Sequence, residues 1–396
     1  MKFDMRGALP KRVDMLELLA RDGFQHATKV IPTETKVWFI EQFIKAGYRL
    51  VEVTNFTHPR IMPQHSDAED ILKRIWQVDA VKEGKVKLIC YGMTRKAFER
   101  AAGSAQAGYP PHSVAFTIST EDIHCSRNAG RTREEYFDDI PQFVRLAKEN
   151  GFKVNMSIAC VYGSPCAGPV PVESTIELME RGLDLGIKDF TPCDTTGEAN
   201  PLTAFEYMSA LVDRYGKYDD VKFRTAHFHD ARGMGLANYV ASIMAGATIV
   251  ETSLGQGGGQ PAFVVGGVPG LGSGPIYTNS DIVGNGATED VLVMLDEMKI
   301  DVGVDIDKML QLGRVLEWVY EEPLRPYTTK SGRPIKQPTE WNLTTVGLDY
   351  LPPFKEGYWA MPGKYKPASA ETLEKVFKGR KFRWDPFEEK VRNVKD

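Results

Sequence analysis

Cysteine is scarce and poorly arranged. The five in 396 residues (Cys90, Cys125, Cys160, Cys166 and Cys193) are odd in number, scattered, and contain no CxxC pair. That argues against a disulfide framework and against a zinc ribbon. Long apolar runs are also missing. No stretch reaches the roughly 18 residues that a membrane span needs, and the opening MKFDMRGALP has no apolar core of a secretory leader. The reading is a cytoplasmic protein with no membrane partner. Surplus charge is absent too: 49 Lys and Arg against 53 Asp and Glu give a formal net charge of -4, which offers no basic surface for nucleic acid. No low-complexity tract and no repeat beyond a strand–helix alternation is visible. What remains, 42% hydrophobic and 26% charged residues, is ordinary for a soluble globular chain of one large domain with additions, or of two domains.

Short apolar, β-branched runs alternate with segments of helical period. Eight strands are expected, over Asp14–Ala20, Arg49–Thr54, Val86–Tyr91, Ser113–Ile118, Phe152–Val161, Asp189–Pro192, Lys222–His227 and Thr248–Ser253. Helical periods fall between them, as in Thr35–Ala46, Arg95–Ala107, Thr132–Asn150, Glu173–Leu185, Pro201–Arg214 and Gly235–Ala245. Eightfold alternation of this kind predicts an α/β fold in which a parallel sheet closes as a (β/α)8 TIM barrel. A doubly wound open sheet is the alternative, weakened because no GxGxxG follows the first strand.

Unusual polar residues gather where the expected strands end, the face on which such barrels carry chemistry. Arg21 and Asp22 follow the first strand, and Glu52, Thr54 and Asn55 close the second. Thr117, Ser119 and Glu121 close the fourth, Asp194 follows the sixth, His227 and His229 end the seventh, and Asn285 lies past the eighth. Alternate residues of a strand face one way, so the imidazoles of His227-Phe228-His229 can share one spot. With Asp22 and Asn285 they make a set of two nitrogens and two oxygens that suits a divalent ion with open positions. Arg21 beside Asp22 would place a fixed cation near that ion, as a developing oxyanion requires. The plainer reading of Arg21 is a structural pair with Glu17 or Glu52. Asp194 is either a general acid or base, or the cap of the helix starting near Pro201. Asp230 is either an outer-layer acceptor or a helix cap. Arg127, Arg131 and Arg133 are phosphate contacts or a solvated face.

Past the eighth strand, Gly255–Gly274 is too glycine-rich for regular structure and reads as a lid or a surface loop. Thr288–Met298 and Ile306–Tyr320 read as closing helices. Composition changes at about Glu321, which divides the chain into a barrel domain over residues 1–320 and an extended C-terminal arm over 321–396. The arm carries one helix near Ala370–Phe377 and aromatics (Trp341, Tyr350, Tyr358, Trp359, Trp384) that need burial against the barrel or a neighbouring subunit.

At these residues the chain resembles the 3-hydroxy-3-methylglutaryl-CoA lyases and, more broadly, the DRE-TIM metallolyases. The match runs over roughly residues 15–315. It rests on Arg21-Asp22-Gly23, Val51-Glu52-Val53-Thr54, Pro63-Gln64, Asp194-Thr195-Thr196-Gly197, His227-Phe228-His229-Asp230, Leu236-Ala237-Asn238 and Gly284 through Asp290. The resemblance implies a (β/α)8 barrel holding Mg2+ or Mn2+, with Zn2+ or Co2+ also acceptable, on Asp22, His227, His229 and Asn285. It gives Arg21 the enolate, Glu52 a supporting role and Asp194 proton transfer, and it places Glu17 where the family has another active-site glutamate. It also implies an acyl-CoA substrate and a homodimer or higher homo-oligomer. Two departures stand out. The lyases carry a catalytic cysteine in the loop after the eighth strand, where Gly259 is the best-aligned position here. Ser119 through His124 looks more like the condensing branch, the isopropylmalate and homocitrate synthases. The leading expectation is thus a metal-dependent carbon–carbon lyase acting on a 3-hydroxyacyl-CoA or related 3-hydroxy acid. The alternatives are a condensing acyltransferase that joins an acyl-CoA to a 2-oxo acid, and a metal-free degenerate barrel that serves as a binding protein.

Overall fold

The computed structural model describes residues 4–259 and 284–334. The chain divides into two compact units, Met1–Pro326 and Tyr327–Asp396. The first is a closed barrel of eight parallel strands with helices between them: β1 Asp14–Glu17, β2 Leu50–Asn55, β3 Lys87–Tyr91, β4 Ser113–Ser119, β5 Lys153–Ala159, β6 Asp189–Asp194, β7 Thr225–Phe228 and β8 Ile249–Thr252. β1 closes the ring by pairing with β8, Asp14 opposite Ile249 and Glu17 opposite Thr252. Of the second unit, residues 327–334 are described and include the short helix Thr328–Ser331. The expected helix near Ala370–Phe377 and the five arm aromatics lie outside the described residues. Among the described residues, no helix is long and apolar enough to cross a membrane.

Strands such as β2 are buried along nearly their whole length, so they read as apolar runs rather than as alternating patterns. Helix starts are set by local chemistry. Thr132 caps Arg133–Glu149 in a reciprocal box with Glu135. Asn200 does the same for Pro201–Tyr215 with Thr203, and Pro201 takes the first helical position, where its missing N–H costs nothing. The helices Ala68–Ile75 between β2 and β3 and Asp122–Ala129 after β4 were given no range from sequence, and the two-stranded ribbon, Gly163–Ser164 with Gly168–Pro169, was not expected. The helix after β4 starts because the Glu121 side chain accepts from the N–H groups of Ile123 and His124, a cap that short-range periodicity does not show.

The first strand ends earlier than expected. Its last ladder residue is Glu17, and Leu19–Gly23 forms a π-helical turn. The Glu17 carboxylate takes the Leu19 N–H, while the Leu18 carbonyl accepts from Arg21, Asp22 and Gly23. Arg21 and Asp22 therefore ride on a wide turn, the kind that recurs at functional sites. β2 carries a bulge between Glu52 and Thr54. One extra residue shifts the alternation, so Asn55 joins Leu50 and Glu52 in lining the barrel's cavity.

Candidate active site

A cavity of about 650 Å3 follows the barrel axis. At the C-terminal ends of the strands its wall includes Arg21, Asp22, Gln25, Glu52, Tyr91, Thr117, His124, His227, His229 and Gly259. It continues past a polar interior network, in which the Asn155 amide donates to Asp189 and Thr191, toward Lys87, Lys153 and Lys222 at the opposite end.

Asp22 lies at the centre. One carboxylate oxygen accepts from Arg21 Nη1 at 2.6 Å, and the other accepts from Asn285 Nδ2 at 2.5 Å. Burial works to raise its pKa, but Arg21, followed by the His229 imidazole, holds the carboxyl below the usual range. His227 and His229 face one another, their Nε2 atoms 3.3 Å apart. His227 Nδ1 lies 2.7 Å from Glu251 Oε2, which fixes the ring and frees Nε2 toward its neighbour. His227 is raised even against burial, chiefly by that Glu251 contact. A backbone bridge joins His229 to Asn285, so residues 56 apart in sequence are placed by one pairing. Asn285 Oδ1 is buried and has no hydrogen-bond partner among the described residues.

The donor types suit a divalent cation: one carboxylate, two imidazole nitrogens turned to each other, and an amide oxygen with no hydrogen-bond partner among the described residues. Among the described residues, no three His, Cys, Asp or Glu side chains are gathered for a metal ion. Asp22 and the two histidines are thus not drawn together on one point, and the Asn285 NH2 group holds one Asp22 oxygen.

Arg21 is held from several sides. Its Nε donates to Glu52 Oε2 at 2.7 Å, and the Tyr91 ring lies 4.7 Å from the guanidinium carbon. Burial opposes its charge, but Asp22 and Glu52 outweigh that and keep it a cation. Burial pushes the Glu52 carboxyl up to about 7 against the pull of Arg21. Beneath the turn, His65 Nε2 meets the Arg21 carbonyl at 3.0 Å, and Gln64 Nε2 donates to the Phe24 carbonyl at 2.6 Å. Burial lowers His65 to about 3, so it is neutral there.

The remaining candidates are placed less directly. Asp194 ends β6, but its oxygens accept from the Glu198 and Ala199 N–H groups. It caps the turn before the helix at Pro201, whose own cap is Asn200. Burial raises its carboxyl to about 7. Asp230 accepts from Gly235 N at a helix start, the cap of the two readings above. Glu17 does not line the cavity. It braces the rim from behind, accepting from Leu19 N, Leu254 N and Thr288 Oγ1. Arg131 pairs with Asp139, and Arg133 with Asp122 and the Thr120 carbonyl, so both are committed within the fold.

The glycine-rich loop is described as far as Gly259, and the rest of the expected lid lies outside the described residues. Gly258 has φ of +117°, and a Cβ there would collide with the Asn285 amide and the Asp22 carboxylate. Only glycine lets the loop pass this close to the site. None of the five cysteines lies in its described part.

Sequence reasoning missed Glu251, Tyr91 and His65. Glu251 had a signal, a carboxylate within the apolar run Ile249–Thr252. Tyr91 and His65 had none, because their importance depends on which residue the barrel sets beside them.

The family model described as HMGL-like matches residues 12–316. The chain belongs to the HMGL-like family. Among its relatives, hydroxymethylglutaryl-CoA lyase YngG of Bacillus subtilis (strain 168) is 30% identical over 325 residues, covering 81% of this chain and 97% of that protein. The mitochondrial hydroxymethylglutaryl-CoA lyase of Mus musculus is 28% identical, covering 78% and 85%. The crystal structure of the B. subtilis HMG-CoA lyase aligns at 28% identity with a TM-score of 0.69, over 82% of this chain and 98% of that one. The HMGL-like segment coincides with the barrel, and every residue of the candidate metal set falls within it.

Proposed function

We propose that the protein is a divalent-metal-dependent carbon–carbon lyase that cleaves a 3-hydroxyacyl-CoA of the 3-hydroxy-3-methylglutaryl type through an enolate. The observation that carries this reading is the meeting of Asp22, Asn285, His227 and His229 beside a half-buried Arg21. Its nearest support outside the site is the lyase identity of the relatives compared above.

A divalent cation, Mg2+ or Mn2+, would be held by those four side chains and would supply Lewis acidity to a substrate hydroxyl and a neighbouring carbonyl oxygen. The protein's own groups do the rest. Glu251 keeps His227 in the tautomer that leaves Nε2 free. Arg21, fixed by Glu52, offers a cation to the oxygen that gains charge when the carbon–carbon bond breaks. Asp194, to which the resemblance gives proton transfer, stands behind the cavity wall with both oxygens accepting backbone N–H groups and its carboxyl raised by burial to about 7, so its proton would pass through a neighbouring group.

The condensing alternative has one observation in its favour. The synthase-like segment Ser119 through His124 brings His124 to the cavity wall, with its Nδ1 2.6 Å from Ser119 Oγ. One panel separates the two. With Mn2+ present, 3-hydroxyacyl-CoAs and, separately, acetyl-CoA with 2-oxo acids are incubated and free thiol is followed. Lyase chemistry yields a shorter acyl-CoA with no free thiol, whereas condensation releases CoA. Thiol release from the second set alone would overturn the lyase reading.

A further inference from the structure

We propose that Tyr91 is a positioning residue for the Arg21 guanidinium, fixing its plane so that one nitrogen is reserved for the substrate. A guanidinium is a flat fork of five donors. Glu52 takes Nε at 2.7 Å and Asp22 takes Nη1 at 2.6 Å. No described residue accepts from Nη2. Both carboxylates bind at the edge of the fork, so neither sets the tilt of its plane. The guanidinium carbon lies over the Tyr91 ring, 4.7 Å from its centroid, within the range in which an aromatic quadrupole attracts a cation.

The ring is itself fixed at both ends. Its backbone ends β3, in register with Asn55 on one side and Ala115 on the other, and its carbonyl accepts from Phe56 N. Its hydroxyl donates to Thr117 Oγ1 at 2.8 Å. Burial pushes the phenol up to about 12, so the hydroxyl keeps its proton near neutrality. Tyr91, Thr117 and Arg21 line the same cavity. Without the ring, two buried carboxylates hold the guanidinium at its edge alone, and Nη2 is free to swing from the direction in which an oxyanion forms.

Three substitutions grade the effect. Tyr91→Leu removes the face and the tether, Tyr91→Phe keeps the face, and Thr117→Val removes the tether from the other side. In the metal-loaded protein, Tyr91→Leu is expected to lower kcat about tenfold with KM within about twofold. Tyr91→Phe and Thr117→Val should match each other and lie between Tyr91→Leu and the parent. The second readout is the 15N order parameter of the Arg21 Nε–H, which should fall in Tyr91→Leu and fall less in the other two. If Tyr91→Leu does not fold, the milder pair still decides. The kinetic arm rests on the lyase reading, whereas the order parameter does not. A parent inactive on every 3-hydroxyacyl-CoA removes the lyase reading, and the order parameter alone then judges Tyr91. An unchanged Arg21 order parameter overturns the proposal. So does a rise in KM with kcat unchanged, which would mark Tyr91 as a plain binding contact.

Discussion

His227 illustrates how one side chain depends on its neighbour. Its Nδ1 contact with Glu251, 2.7 Å long and buried, selects the tautomer and aims Nε2. Losing such an outer partner lowers metal affinity by roughly 10- to 100-fold in comparable sites. Glu251→Gln is expected to weaken Mn2+ binding by that amount in calorimetry, and affinity equal to the parent would remove the metal role of His227. Glu52 makes the matching case for Arg21. Glu52→Ala leaves the half-buried Arg21 short of one partner, and both thermal stability and kcat should fall. The two histidines could be read from sequence because only seven exist and two stand at strand spacing. Arg21 and Glu52 could be joined because both sit at strand ends. Glu251 stood out as a carboxylate in an apolar strand, but its partner, like that of Tyr91, shows only once the register is known.

The turn Leu19–Gly23 and the loop at Gly258 are the elements that bring the site together. Sequence placed Arg21 and Asp22 at the end of a strand, and the structure puts them on a π-helical turn instead. The cause is tertiary: the Leu19 N–H goes to Glu17, and Glu17 is held by Leu254 and Thr288 from the far side of the barrel. No local propensity encodes that. Gly258→Ala is expected to abolish activity, because φ of +117° strains any L-residue and its methyl would enter the Asp22–Asn285 contact. Retained turnover would show that the loop does not lie there in the working enzyme. Behind the loop, Glu289 accepts the Gly255 N–H through both oxygens, and burial raises it to about 8. Between the ordinary carboxylate value of 4.5 and 8, the folded protein keeps a proton that the unfolded chain has released. This group's contribution to stability therefore falls as pH rises through that window. Glu289→Gln should flatten the decline in Tm across it, and an unchanged slope would contradict the burial argument.

The barrel carries one contiguous apolar core that runs from Val13 to Leu324. Its β–α order and closure were readable from alternation, since eight strands separated by helices leave few other ways to bury both faces of a parallel sheet. The division of the chain was read at residue 320, whereas the compact unit extends to Pro326. Leu324 explains the difference: it is buried, and a side chain added at Gly255 would strike it and Leu316. A chain of residues 1–326 is expected to unfold in a single cooperative transition by circular dichroism, and a broad, non-cooperative melt would show that the core needs the second unit. In the proposed reaction this barrel uses Asp22 and its neighbours to break a carbon–carbon bond. The most direct test incubates the full chain with 3-hydroxy-3-methylglutaryl-CoA and Mg2+ or Mn2+ and follows acetyl-CoA release beside Asp22→Ala. Rapid release that vanishes in the variant is the predicted result, whereas no release from a parent that binds the metal would contradict it.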